Sequence, residues 1–238
     1  MITPAAFYAA IDGTWPAAAV TCAGPWTIRD GQGGGKRVSA ATADEPTTDF
    51  GQAEQAMRAA DQTPLFMVRQ GEDALDHLLD HAGYTIVDPT NGYIAPVDTL
   101  TDIPIPRVTA FAIWEPLAIQ NDIWAAGGIG PARVAIMHRA QTKTSILARH
   151  RDKPAGTAFA AIHNGIAMVH AVEVLPHQRR HGVAQWIMRQ AAFWAADNGA
   201  THIAVLTTAA NGPANALYQG LGFQQVCGYH YRTATQTM

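Results

Sequence analysis

The chain has 238 residues, 48% hydrophobic and 15% charged, enough for one large or two small globular cores and too apolar for extended disorder. A net charge of −3 excludes nucleic-acid or membrane binding through bulk charge, so any anion site must be local. Two cysteines, Cys22 and Cys227, are too few for a metal-ligand cluster or a disulfide framework and suit a reducing cytoplasm.

The opening MITPAAFYAAIDGTW places no basic segment ahead of an apolar run, so no signal peptide is expected, and no stretch is long enough to span a bilayer. Residues 26–41 read as a hairpin, Trp26–Asp30 out and Arg37–Ala41 back around GlyGlnGlyGlyGly. The GGGK within it fails the phosphate-loop pattern, because Asp30 stands at the first glycine and Arg37 replaces the Ser or Thr. Ala53, Met57 and Ala60 share a helical face, and Leu65–Val68 is a short apolar run that predicts a buried strand. Leu75, Leu78, Leu79 and Ala82 fall at i, i+3, i+4 and i+7 of a second helix, with Gly83 as its stop. Tyr84–Val87 is strand-like, and the Pro-, Asp- and Asn-rich segment 88–106 reads as a linker.

Helices are predicted over 117–126 and 132–140, with glycines ending the first and Pro131 opening the second. Thr144–Arg149 is extended. Strands 157–163 and 166–175 meet at Asn164-Gly165, a strong hairpin signal. A helix runs from Val183 toward Gly199 with Val183, Ile187, Ala191 and Trp194 on one face, and His202–Thr208 is a strand. Helix, strand, helix and Gly-aromatic recur at the end of each half, with Gly83-Tyr84 echoing Gly222-Phe223, either a degenerate internal repeat or a chance likeness of such units.

The chemistry concentrates in residues 169–184, ValHisAlaValGluValLeuProHisGlnArgArgHisGlyValAla. A strand ends at Pro176, a basic glycine-containing loop follows, and a helix begins. The first N–H groups of a helix have no internal partner and carry the positive end of its dipole. Gly182 leaves the backbone open to a phosphate, and Arg179, Arg180 and His181 can add charge-assisted hydrogen bonds, so the loop suits a diphosphate. Pro213 fits the first turn of a short helix carrying Asn215 and Tyr218, with Asn211 just before it.

This stretch resembles the GNAT superfamily of N-acetyltransferases, whose signature Gln/Arg-x-x-Gly-x-Gly/Ala stands here as Arg179-x-x-Gly182-x-Ala184. The strand at 202–208, Asn211, Asn215, Tyr218 and the ending LeuGlyPhe at 221–223 extend the resemblance over roughly residues 141–232. It implies an α/β fold with a mixed, mostly antiparallel sheet flanked by helices and splayed between its fourth and fifth strands. Acetyl-CoA would lie in the splay, its pyrophosphate on Arg179, Arg180, His181, Gly182, Val183 and Ala184, its pantetheine arm along Val172 and Val174, with Asn211 and Asn215 nearby and no metal required. Tyr218 stands where the family has a tyrosine that protonates the departing thiolate.

For the base, the strand offers His170 and Glu173. Simple alternation puts His170 with Val172 and Val174 and sends Glu173 to the other face unless a bulge intervenes. His170 matches one of two strand histidines proposed to relay protons in a family member, and Met168 stands at the other position. Trp114, Trp124, Tyr229 and Tyr231 are candidates to line the acceptor site. The expected organisation is a degenerate, non-catalytic GNAT-like half over 1–95 and an acetyl-CoA-binding N-acetyltransferase domain over 96–238. The expected activity is acetyl transfer to a primary amine of a small molecule or peptide; a different acyl-CoA, or a CoA-binding sensor without turnover, are the alternatives. A homodimer is compatible with the sequence.

Overall fold

The computed structural model describes residues 2–47 and 49–234. The chain opens with α1 (Pro4–Thr14), capped by the Thr3 side chain on the Ala6 N–H with Pro4 in the first turn. Then come β1 (Ala19–Ala23), β2 (Trp26–Asp30), β3 (Thr42–Ala43), α2 (Gly51–Ala59), β4 (Leu65–Arg69), α3 (Asp73–His81) and β5 (Tyr84–Pro96). The rest runs β6 (Ala110–Ile113), α4 (Ala118–Ala126), α5 (Pro131–Arg139), β7 (Thr142–His150), β8 (Lys153–His163), β9 (Ile166–Val174), α6 (Val183–Asp197), β10 (His202–Thr208), α7 (Gly212–Gly220) and β11 (Gln224–Ala234).

Two expectations are corrected. The hairpin partner of β2 is β1, with Ala23 opposite Trp26, and residues 36–38 form a 3-10 turn instead of a returning strand. Positive φ at Gln32, Gly33 and Gly35 curls the glycine loop away from a ladder, and only Thr42 and Ala43 come back to pair with β2. The segment 88–106 is not a free linker, because β5 continues through its proline, aspartate and asparagine residues to Pro96. Pairing with neighbouring strands overrides its weak intrinsic strand propensity.

The compact units do not divide at residue 95. One comprises Met1–Pro16, Gly92–Leu206 and Gly212–Val226; the other comprises Ala17–Asn91, Thr207–Asn211 and Cys227–Met238. In the first, β10, β9, β8, β7 and β6 lie side by side in that order. Neighbours are antiparallel except β9 with β10, which run parallel. The Asn164-Gly165 turn joins β8 to β9 with positive φ at both residues, as a two-residue hairpin of this type needs. The apolar face of α6 (Val183, Ile187, Met188, Ala191, Ala192) packs with Ile146, Ala158, Val169 and Ile203 of the sheet. Full burial of a side chain such as Ile187 is worth ~1.5–3 kcal/mol.

The second unit has its own core of Trp26, Met57, Phe66, Leu75, Leu79 and Tyr84. Its β4 pairs antiparallel with β11, and Arg232 on β11 bonds Asp76 and Asp80 of α3, each at 2.7 Å. Among the described residues no helix is long and apolar enough to cross a membrane.

Candidate active site

Parallel pairing of β9 with β10 stops at Val169 opposite Val205, while β9 runs on to Val174. The sheet therefore splays at this point and leaves one edge of β9 open. Along its other edge β9 pairs with β8, and the register slips: Phe159 faces His170, yet Thr157 faces Glu173. The extra residue is a bulge at Ala171, whose φ is +52°. Its carbonyl accepts from the Trp124 indole N–H at 2.9 Å, so α4 pins the bulge.

The bulge changes which side chains share a face. Val169, Val172 and Val174 pack into the α6 core. His170 turns to the opposite side, where its ring lies 5.0 Å from Trp15 and its Nε2 lies 2.9 Å from the Thr14 hydroxyl. Glu173 reaches that same side, against Gly127 at the end of α4. Simple alternation, which placed His170 with Val172 and Val174 and apart from Glu173, is corrected here. The Thr14 hydroxyl donates to the Ala10 carbonyl at 2.6 Å, which leaves its oxygen to accept from His170 Nε2–H and sets the tautomer.

Glu173 is half-buried, and burial pushes its carboxyl above the usual carboxylate range while the Arg179 and Arg133 guanidinium groups partly counter the rise. A Cβ on Gly127 would lie 2.4 Å from the Glu173 carboxyl carbon, so a side chain there would displace this carboxylate.

The basic loop follows β9 directly. Arg180 has φ +67° and Gly182 φ +74°, and no side chain caps the start of α6. The first N–H groups of α6 thus stay open beside two left-handed residues, the geometry of a backbone anion nest. Arg179, Arg180 and His181 are exposed. Arg179 Nε bonds the Val174 carbonyl at 3.2 Å, and the His181 ring stacks on His150 at 4.6 Å. Val183 is buried and Ala184 half-buried at the helix start.

Tyr218 is buried on α7, its ring 6.2 Å from Tyr93 and 5.9 Å from Phe223, and burial alone raises its hydroxyl pKa to about 12. The Asn215 carboxamide oxygen accepts from the Tyr93 hydroxyl at 2.9 Å, so it anchors α7 to β5. Asn211 lies in the segment Thr207–Asn211, which groups with the other compact unit. Of the four candidate aromatics, Trp124 is fully buried and engaged at the bulge, and Tyr229 and Tyr231 pack on each other in the other unit. Trp114 remains in this unit, with Lys143 Nζ 5.0 Å from its ring centre.

Sequence reasoning missed Thr14, Trp15 and the closeness of Gly127 to Glu173, and it took Trp124 as an acceptor-site aromatic where the structure makes it the donor to the bulge. The Thr3-Pro4 start of α1 is a readable capping signal. The contact of α1 with β9 is not, since it joins residues 156 positions apart.

No curated protein matches the chain. Residues 113–223 match the model of the Acetyltransferase (GNAT) family. A GCN5-related N-acetyltransferase from Kribbella flavida is similar in fold at 21% identity, over 98% of this chain and 96% of that one, with a TM-score of 0.75. A functionally unknown conserved protein from Staphylococcus epidermidis aligns at 12% identity over 93% and 95% of the two chains, TM-score 0.67. A tandem GNAT protein from the clavulanic acid biosynthesis pathway aligns at 14% identity over 88% and 77%, TM-score 0.60. The family match and the splayed sheet with its open helix start together make residues 113–223 of this chain an acetyltransferase domain of the GNAT family.

Proposed function

We propose that the protein is an acetyl-CoA-dependent N-acetyltransferase that acetylates a primary amine of a small molecule or peptide by direct attack in a ternary complex. One observation carries the reading: an uncapped helix start with left-handed Arg180 and Gly182, set at the end of the strand that parts from its neighbour. This cradle fits a diphosphate, because its donors are backbone N–H groups and exposed guanidinium groups, and a Cβ at Gly182 would stand among them in a strained conformation. Arg179, Arg180 and His181 would hold the diphosphate of acetyl-CoA with the N–H groups of Gly182, Val183 and Ala184. The open edge of β9 at Val172 and Val174 would pair with the pantetheine amides. Acetyl-CoA supplies the acyl group as a thioester.

Glu173 has the role of base. Its raised pKa, caused by burial, strengthens it as a proton acceptor. It takes the proton lost by the amine nitrogen as the new carbon–nitrogen bond forms. Tyr218, protonated at neutral pH with a pKa of about 12, gives its proton to the sulfur as the carbon–sulfur bond breaks. His170, held by Thr14 and Trp15 on the Glu173 face, orders the acceptor side of the strand and is the second candidate for base.

The half 1–95 is proposed to be a non-catalytic GNAT-like copy. Its β4–α3–β5 repeats the order β10–α7–β11, each helix ends at a positive-φ glycine (Gly83, Gly222), and the likeness to a tandem GNAT protein supports it.

The test is thiol release from acetyl-CoA across a panel of amines, amino acids and peptides, with CoA affinity measured by calorimetry. An amine-dependent release is expected. Replacing Arg179 and Arg180 together with Ala should weaken CoA binding by at least about tenfold, since a charge-assisted contact is worth ~1.5–3 kcal/mol. CoA affinity unchanged in that double variant would remove the loop from the site.

A further inference from the structure

Strands β7 and β8 meet in a tight turn at Arg151 and Asp152, whose φ values are +49° and +62°, and His150 pairs with Lys153 across it. Residues directly opposite in an antiparallel pair share a face of the sheet. On β7 this face runs through Ile146, Ala148 and His150, and Ile146 and Ala148 share a core with Val183 and Ile187 of α6. His150 and Lys153 therefore lie on the face that α6 covers. A Cβ on Gly156 of β8 would stand 3.1 Å from a Val183 methyl carbon, so the start of α6 sits at this end of the sheet.

His150 ties the turn to the anion loop at two points. Its Nδ1–H donates to the Gln178 carboxamide oxygen at 2.8 Å, just before Arg179, and its ring stacks on His181 at 4.6 Å and 18°, just after Arg180. One side chain from the turn thus brackets both arginines. Lys153, opposite His150 on the same face, falls beside the loop.

This corner is more basic than a diphosphate requires. Arg149 bonds the Asp152 carbonyl at 2.6 Å and lies 4.0 Å from its carboxylate, which answers the one acid of the turn. Arg151 and Lys153 are exposed, and among the described residues their side chains enter no hydrogen bond or ion pair. Arg179 and Arg180 match the charge of a diphosphate by themselves. Cations gathered without acids repel one another, and a further phosphate relieves that repulsion. Coenzyme A carries such a group, the monoester at the 3′ position of its ribose. An ammonium, a point charge with three rotatable donors, suits a phosphate of this kind.

We infer that Lys153 and Arg151 of the β7–β8 turn bind the ribose 3′-phosphate of acetyl-CoA, and that the His150–His181 stack fixes the spacing of this subsite from the diphosphate loop. The inference rests on the loop being the diphosphate site. It makes the turn the element by which the protein distinguishes coenzyme A from a nucleotide lacking that phosphate.

Calorimetric titration of the full chain with CoA and with 3′-dephospho-CoA, at roughly 0.1 M salt, tests this. CoA should bind at least about tenfold more tightly, the scale of a charge-assisted contact. Lys153→Gln should remove most of that preference, and Arg151→Gln with Lys153→Gln all of it, while the affinity for dephospho-CoA stays at the parent value. Lys153→Arg, which keeps the charge, should retain the preference. These side chains are on the surface, and melting temperature checks that each variant is folded. Equal affinity of the parent for the two ligands overturns the inference and leaves the loop reading standing. A preference that survives the double variant, or a loss shared equally by both ligands, overturns it as well. A parent that binds neither ligand removes the loop reading, and the inference with it.

Discussion

At Glu173 two effects oppose each other. Burial penalises the charged form, and the Arg179 and Arg133 charges favour it; burial prevails and the pKa rises. The folded state thus holds this proton more tightly than the unfolded chain does. Stability from that source is present at low pH and is lost as pH rises from the ordinary Glu value, ~4.3, through the folded-state value. Glu173→Gln should therefore raise the melting temperature at neutral pH, with the gain vanishing near pH 4. Turnover should fall by roughly 10²–10⁴ and recover partly at high pH, where the acceptor amine loses its proton to solvent. A variant with parent turnover across the pH range would leave His170 or a water as the base.

Tyr218→Phe keeps the ring and deletes only the hydroxyl. Turnover should fall by roughly 10²–10⁴, nearer the lower end because a thiol ionises easily near neutral pH. Acetyl-CoA affinity should hold, since the contact belongs to the transition state. Lower thermal stability with normal turnover would mark the residue as packing alone. Both side chains were legible as chemistry in the sequence. The pocket that raises each pKa was not, because desolvation depends on distant neighbours.

At the scale of elements, the bulge in β9 matters most. It returns Glu173 to the His170 side and is held by one indole N–H from α4. Trp124→Phe removes that donor and leaves the half-buried Ala171 carbonyl without it. The expected loss is ~1–3 kcal/mol for the carbonyl plus a cavity term, read by chemical denaturation. Turnover should fall as well, because the bulge sets the direction of Glu173. A destabilised variant with full turnover would show that β8 alone fixes the bulge. Periodicity located β8, β9, α6 and the turn between β8 and β9, because those elements bury one regular face. It misread 88–106, where strand pairing rather than composition decides, and it passed over α1. A bulge leaves no mark in hydrophobic periodicity, since Ala171 is compatible with either backbone.

For the molecule as a whole, the compact units interleave segments of sequence, so no single cut at residue 95 separates them. The sequence by itself determined the likeness of residues 113–223 to the GNAT family and the basic, glycine-containing loop ahead of α6. These are local features: Arg179-x-x-Gly182-x-Ala184 is contiguous, and a helix start exposes its N–H groups wherever it occurs. Local backbone rules also determined the Asn164-Gly165 hairpin and the left-handed stops at Gly83 and Gly222. Only the tertiary structure decided which residues face each other across β9, that α1 joins the unit holding β6 to β10, and that Asn211 groups with the other unit. Each of those depends on contacts between residues far apart in the chain, whose pairing is settled by the burial of whole faces and not by any residue's own propensity.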